Sequence, residues 1–161
     1  LEVIWEILKN TIIPAIFGVM GYVFKQKYDE GSKIKTSARL LIYDINRTTE
    51  ILRSFLDGDD HSIPLVSLTA INDWKQYFCV VNTKLATETA KSVFEFYSRI
   101  ENLIYIQKDA IGIMEQINPH YPNDYLRRRI MALTKVFEEY TKVVLETPRL
   151  ADSLNNLDRL T

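Results

Sequence analysis

Three arginines in a row, Arg127-Arg128-Arg129, are the residues whose type and spacing point most directly to chemistry. A guanidinium is planar and permanently charged, and its fork matches pairs of phosphate or carboxylate oxygens. Consecutive helical residues step by about 100°, so the three fan over about 200° of helix surface and cannot share one neighbour. They fall in the first turns of a predicted helix, where the macrodipole disfavours cations. Glu138 and Glu139 come too late in the chain to neutralise them locally. One reading is a solvated face salt-bridged to other helices. The other is a contact with phosphates, lipid headgroups or an acidic partner. With 20 Lys and Arg against 21 Asp and Glu, the net charge is −1, and no nucleic acid is expected as partner.

Two further polar sets invite the same question. Glu6, Lys9 and Asn10 interrupt an apolar N-terminal segment and share one helix face, Glu6 being three and four residues from the other two. They form the polar rim of an anchor, or the contact face of a self-associating helix or pore. Farther on, Lys25, Lys27, Lys33, Lys35 and Arg39 stand against only Asp29 and Glu30. Basic residues beside a membrane span stay on the cytoplasmic side and are attracted to anionic lipid.

Catalytic, metal and cofactor chemistry find no footing. His61 and His120 lie in loops close to proline, whereas a phosphotransfer histidine sits exposed in mid-helix. The inward Glu-x-x-His pairs of a di-iron bundle are missing, and two His and one Cys far apart make a poor zinc set. Asp57-Gly58-Asp59-Asp60 opens like a calcium loop, but the bidentate glutamate due at position 68 is Leu68. There is no Gly-rich phosphate loop and no G-x-S-x-G elbow, and nothing singles out a Ser/His/Asp triad. Cys79, in the run Tyr77-Phe78-Cys79-Val80-Val81, reads as a small buried hydrophobe. The expectation is a protein without enzymatic activity, metal or cofactor.

The elements that must carry these residues are helices. The chain has 161 residues, 47% of them hydrophobic, with five Gly and five Pro. That is enough for one compact core and leaves long stretches unbroken. Thr11–Phe24 carries no charge, and Val3, Ile4, Trp5, Ile7 and Leu8 extend its apolar character upstream. A spanning helix needs roughly 20 mostly apolar residues. Residues 1–24 are therefore read as a single membrane helix, with Trp5 and Tyr22 near its two interfaces and Pro14 tolerable as a kink. The competing reading is a buried apolar helix of the core. A cleaved signal peptide fits poorly, because Lys25-Gln26-Lys27 stands where a small-residue cleavage site belongs.

Residues 25–33 form a basic juxtamembrane segment, with Gly31-Ser32 punctuating the chain before the next helix. Residues 34–161 read as a cytoplasmic, antiparallel four-helix-type bundle with a short C-terminal helix. Ile34, Ala38, Leu41, Ile45, Thr48, Leu52 and Phe55 alternate four and three apart, a seam broadened by Leu40, Ile42, Ile51 and Leu56. Gly58 is a candidate left-handed stop. After a loop over 61–68, Asn72 or Thr69 can cap a shorter helix through Trp74, Phe78, Val81 and Leu85, and Thr87 the next. That one keeps heptad spacing through Val93, Tyr97, Ile100, Ile104, Ile111 and Met114, with Gln107 as its polar interruption. Apolar on several sides, it belongs at the centre of the bundle. Asn118-Pro119-His120-Tyr121-Pro122 breaks the chain, and Asn123 can cap a further helix. Leu126, Ile130, Leu133, Phe137, Tyr140 and Val144 make a third seam, ended by Pro148; Leu150, Leu154 and Leu157 mark the last helix. The Asn46-Arg47-Thr48 sequon falls mid-helix and, on the cytoplasmic reading, carries no glycan.

The order of these features resembles small membrane-anchored helical proteins of bacteria, of the kind found in prophage-like and mobile-element settings. It runs from one short apolar helix and a basic run to Ala38-Arg39-Leu40-Leu41-Ile42-Tyr43-Asp44-Ile45, then to Trp74 opening a helix that leads to Phe94-Glu95-Phe96-Tyr97. The resemblance carries no active residues. It implies a non-enzymatic, single-pass, membrane-tethered interaction or sensor module whose partners are lipid and another protein or a second copy. The alternative is a membrane-active effector or immunity protein acting through its N-terminal helix.

Overall fold

The computed structural model describes residues 13–58, 62–117 and 124–161, with side chains described from Met20 onward. The described residues form five helices and no strand: α1 (Ile13–Asp57), α2 (Trp74–Asn82), α3 (Thr87–Met114), α4 (Asp124–Leu145) and α5 (Leu150–Asp158).

α1 is a single helix of 45 residues. The break expected at Gly31-Ser32 is absent. One glycine in a helix interior costs about 1 kcal/mol relative to alanine, and Gln26, Lys27, Glu30, Lys33 and Lys35 around it are good helix formers. From Ile34 onward the seven seam residues read in the sequence are all buried, with Leu40, Ile42, Ile51 and Leu56 packed beside them. Upstream the helix leaves the body: residues 20–30 are all exposed, Tyr22 and Tyr28 the most among the large hydrophobic side chains. At about 1.5 Å per residue, residues 13–33 extend about 30 Å beyond the packed region. The helix stops at Asp57. Gly58 is not the left-handed stop expected, for no described glycine has positive φ. A Cβ at Gly58 would instead stand 3.0 Å from the Ser54 carbonyl oxygen, so crowding explains the glycine.

α2 packs along α1, α3 against α4 and α5, and α1 against both α4 and α5. Side-chain bonds fix the directions. Tyr97 of α3 reaches Asp44 of α1, and Gln107, ten residues on, reaches the connection that has just left the end of α1, so α3 runs parallel to α1. Arg129 meets Asp109 while Arg99 meets Val143, so α4 runs antiparallel to α3. Arg39 near the start of the packed part of α1 donates to the Thr161 carbonyl, at the end of the chain.

The sequence seam of α3 needs correction. Val93, Tyr97 and Ile100 are buried, but Ile104, Ile111 and Met114 are only half-buried, and the core positions become Phe96, Leu103, Gln107 and Ala110. Measured from Val93, Ile104 and Ile111 stand within about 20° round the helix while Leu103, Gln107 and Ala110 stand about 40–100° to one side, so the covered face turns as α3 passes from one set of neighbours to another. Nor is α3 covered on every side, since Phe94 and Tyr105 are exposed. On α4, Phe137 and Val144 are buried and Thr141 joins them, whereas Tyr140 is exposed. Cys79 is exposed rather than buried. α2 turns Trp74 and Val81 inward, and Cys79 stands about 140° round the helix from Trp74. The caps expected from side chains do not form: Asp73 and Ala86 hold the N-cap positions of α2 and α3, without a side-chain bond. His61, His120 and Asn123 lie outside the described residues.

Candidate functional site

The polar sets singled out from sequence do not converge. Glu6, Lys9 and Asn10 lie outside the described residues. Lys25, Lys27 and Lys33 are exposed on the projecting part of α1, and Lys35 is exposed at the start of its packed part. Arg127, Arg128 and Arg129 are exposed at the start of α4. Arg129 pairs with Asp109 of α3 at 3.3 Å, and Arg127 and Arg128 form no ion pair among the described residues. Counting from the Asp44–Tyr97 bond, Lys33 lies eleven residues one way along α1 and Asp109 twelve the other way along α3. At about 1.5 Å per residue the two basic sets are about 35 Å apart, at opposite ends of the body.

What the fold does gather is a buried polar cluster that the sequence pattern did not single out. Asp44 is fully buried. Its Oδ1 accepts the Ala70 backbone N–H at 2.5 Å and its Oδ2 accepts the Tyr97 hydroxyl at 3.1 Å. Burial raises the carboxyl's pKa above the usual value, and the Ala70 and Tyr97 donors pull it partly back. The Tyr97 hydroxyl is pushed strongly up, first by burial and then by the Asp44 charge. Trp74 stacks on the Tyr97 ring, centroids 4.6 Å apart, and its Nε1 donates to Glu101 at 3.1 Å. Lys75 bonds the same carboxylate at 2.9 Å and, as the main cause, holds it below the ordinary glutamate range.

Comparison with known proteins gives no guide to this cluster. The chain matches no protein-family model, no curated protein and no solved structure.

The geometry is that of a fastening. Thr48 donates to the Leu68 carbonyl at 2.6 Å, and Gln107 donates to the carbonyls of Pro64 and Val66. With Asp44 on Ala70, three buried side chains of α1 and α3 thus satisfy backbone groups of the connection 62–73, which has no helix of its own. Backbone polar groups laid against a core must find such partners. The connection between α4 and α5 is tied in the same way: Ser92 of α3 donates to Pro148 O at 2.8 Å and Arg99 to the Thr147 hydroxyl at 3.3 Å, with a further bond to Val143 O in the last turn of α4. Arg149 in that elbow takes a left-handed backbone, φ 58°. The signal for the first cluster was present in the sequence. Ser37, Leu41, Asp44 and Thr48 are four, three and four apart, so a carboxylate stood on a face that had to be buried.

Among the described residues no group of His, Cys, Asp and Glu could hold a metal ion. An open groove of about 630 Å³ lies between α1 and the α4–α5 elbow, lined by charges of both signs, among them Glu50, Arg53, Asp57, Arg149 and Asp152. Among the described residues no helix is long and apolar enough to cross a membrane.

Proposed function

We propose that the chain is a non-enzymatic interaction module carried on a membrane stalk. A four-helix-type bundle would be held on the cytoplasmic side by the N-terminal end of α1. One observation supports this reading above the others. α1 passes without a break from the uncharged stretch ending at Phe24, through exposed Met20–Glu30, into the buried seam beginning at Ile34. A core helix of a compact protein would have its apolar part covered, and Met20, Tyr22, Val23 and Phe24 are not. The described apolar part, residues 13–24, reaches only about 18 Å, short of the roughly 30 Å hydrocarbon core. The reading therefore calls on the apolar residues upstream of Ile13. Lys25, Lys27, Lys33 and Lys35 favour a cytoplasmic body.

The test is fractionation of the full chain beside a form lacking residues 1–24. The full chain is expected with membranes, released only by detergent, and the shortened form is expected to be a folded, soluble helical protein. A full chain that is soluble without detergent, together with a shortened form that unfolds, would return the segment to the core.

A further inference from the structure

α4 turns more than one apolar face outward from its helix axis. Leu133, Phe137 and Val144 pack inward. Ala132, Val136, Tyr140 and Val143 form a second line, spaced four, four and three, that is exposed: Val136 by 39%, Tyr140 by 42% and Val143 by 46%. Scattered exposed hydrophobics are ordinary. Here four lie on one line, with Arg128 beside one end and Glu139 beside the other, both exposed. On a helix of 3.6 residues per turn, Arg128 and Glu139 fall on the same flank of that line, within about 20° of each other.

We propose that this face of α4 binds a second copy of the chain in an antiparallel, twofold-symmetric pair. A twofold axis through the contact carries each flank onto the same flank of the partner and reverses the helix direction. With Thr134 level with the axis, Ala132 lies against the partner's Val136, and Arg128 against the partner's Tyr140 and Glu139. Each charge pair occurs twice. A parallel pairing would carry the partner's Arg128 and Glu139 to the opposite flank, out of reach of this one's, so the charge pairs form only in the antiparallel arrangement. Arg129 keeps its bond to Asp109. Lys135, the cation nearest the axis, lies about 95° round from the middle of the line and reaches solvent. Lys142 is engaged by Glu138.

The contact is one helix pair some 24 Å long, which belongs to the small, transient class of interfaces. It goes beyond the membrane reading and does not rest on it. Because α4 runs antiparallel to α1, the twofold points the two stalks in opposite directions, so a dimer seats at most one stalk in a given bilayer.

Sedimentation velocity of the full chain in a mild non-ionic detergent, over a wide concentration range, tests the proposal. A concentration-dependent dimer is expected. Arg128→Glu should weaken it about tenfold, since it removes two surface ion pairs and replaces them with two repulsions. Glu139→Arg should do the same, and the double variant should recover association to within about threefold of the original. On a Cys79→Ser background, mixing an Ala132→Cys protein with a Val136→Cys protein should give a disulfide-linked pair. A monomer at every concentration overturns the proposal. So does a dimer indifferent to Arg128→Glu, or single variants that weaken it with no recovery in the double. An association that survives all these changes would belong to the stalk.

Discussion

Tyr97 and the backbone N–H groups of Ala70 and Ile71 donate to Asp44, a carboxylate with no exposed surface. Replacing Tyr97 by Phe removes the hydroxyl that donates to Oδ2 while the ring still stacks on Trp74. An orphaned buried acceptor costs about 1–3 kcal/mol, and chemical denaturation of Tyr97→Phe is expected to show a loss of that size. The pH dependence has a definite sign. Asp44 is more basic in the folded chain than in the unfolded one, so between the unfolded value, 3.8, and the higher folded value the native state holds the extra proton. Its contribution is therefore fullest below 3.8 and is lost as pH rises through the folded value. Measured against Asp44→Asn across this range, the advantage of the native residue should shrink as pH increases; an increase would mean the carboxylate is stabilised as an anion. Arg149 offers a second residue-scale test. A non-glycine left-handed backbone costs on the order of 1 kcal/mol, and its ion pair to Glu88, 3.4 Å long, is exposed at both ends. Arg149→Gly is expected to raise the melting temperature modestly. These positions were poorly legible in the sequence: Asp44 was readable as a polar residue on an apolar face, but its partners come from 26 and 53 residues away.

α3 shows what a periodic pattern can and cannot predict for an element. Heptad counting found the helix, yet along its 28 residues the covered face turns with the neighbours it meets, away from Ile104 and Ile111. Leu103, fully buried, should lose about 2–5 kcal/mol on truncation to Ala. Half-buried Ile104 should lose clearly less, and equal losses in denaturation would put the seam back where the heptads had it. Gln107 looked like an interruption of an apolar helix and is instead one of the ties on the connection 62–73. In Gln107→Ala the amide hydrogens of that connection should exchange faster with solvent, while those at the middle of α3 keep their protection. α1 was the most legible element, because its seam is buried from Ile34 to Phe55 with no exception. Only its unity was missed, since a glycine-serine pair in a loop and the same pair in a long helix have one spelling.

The described residues join a packed body to a projecting helix, and no sequence pattern specified that geometry. The apolar N-terminal stretch and the basic run were visible, but whether another element covered them depends on where the short α2 ends, and α2 stops after nine residues. For the same reason the two basic sets, equal candidates on paper, separate to opposite ends. Charge reversal at Lys25, Lys27, Lys33 and Lys35 should therefore weaken adsorption to anionic vesicles, while reversal at Arg127 and Arg128 should leave it nearly unchanged; equal effects would argue against the separation. α1 also behaves as a keyed shaft. Because it crosses from projection to body with no joint, each residue removed between 25 and 33 would turn everything upstream by about 100° in azimuth and draw it in by about 1.5 Å. Removing seven residues shortens the shaft by nearly two turns yet restores the azimuth to within about 20°. Removing two or five points the opposite side of the upstream helix at whatever it meets. The direction in which the body faces and the height at which it stands are thus set separately, by the remainder and by the number of residues in one uninterrupted helix.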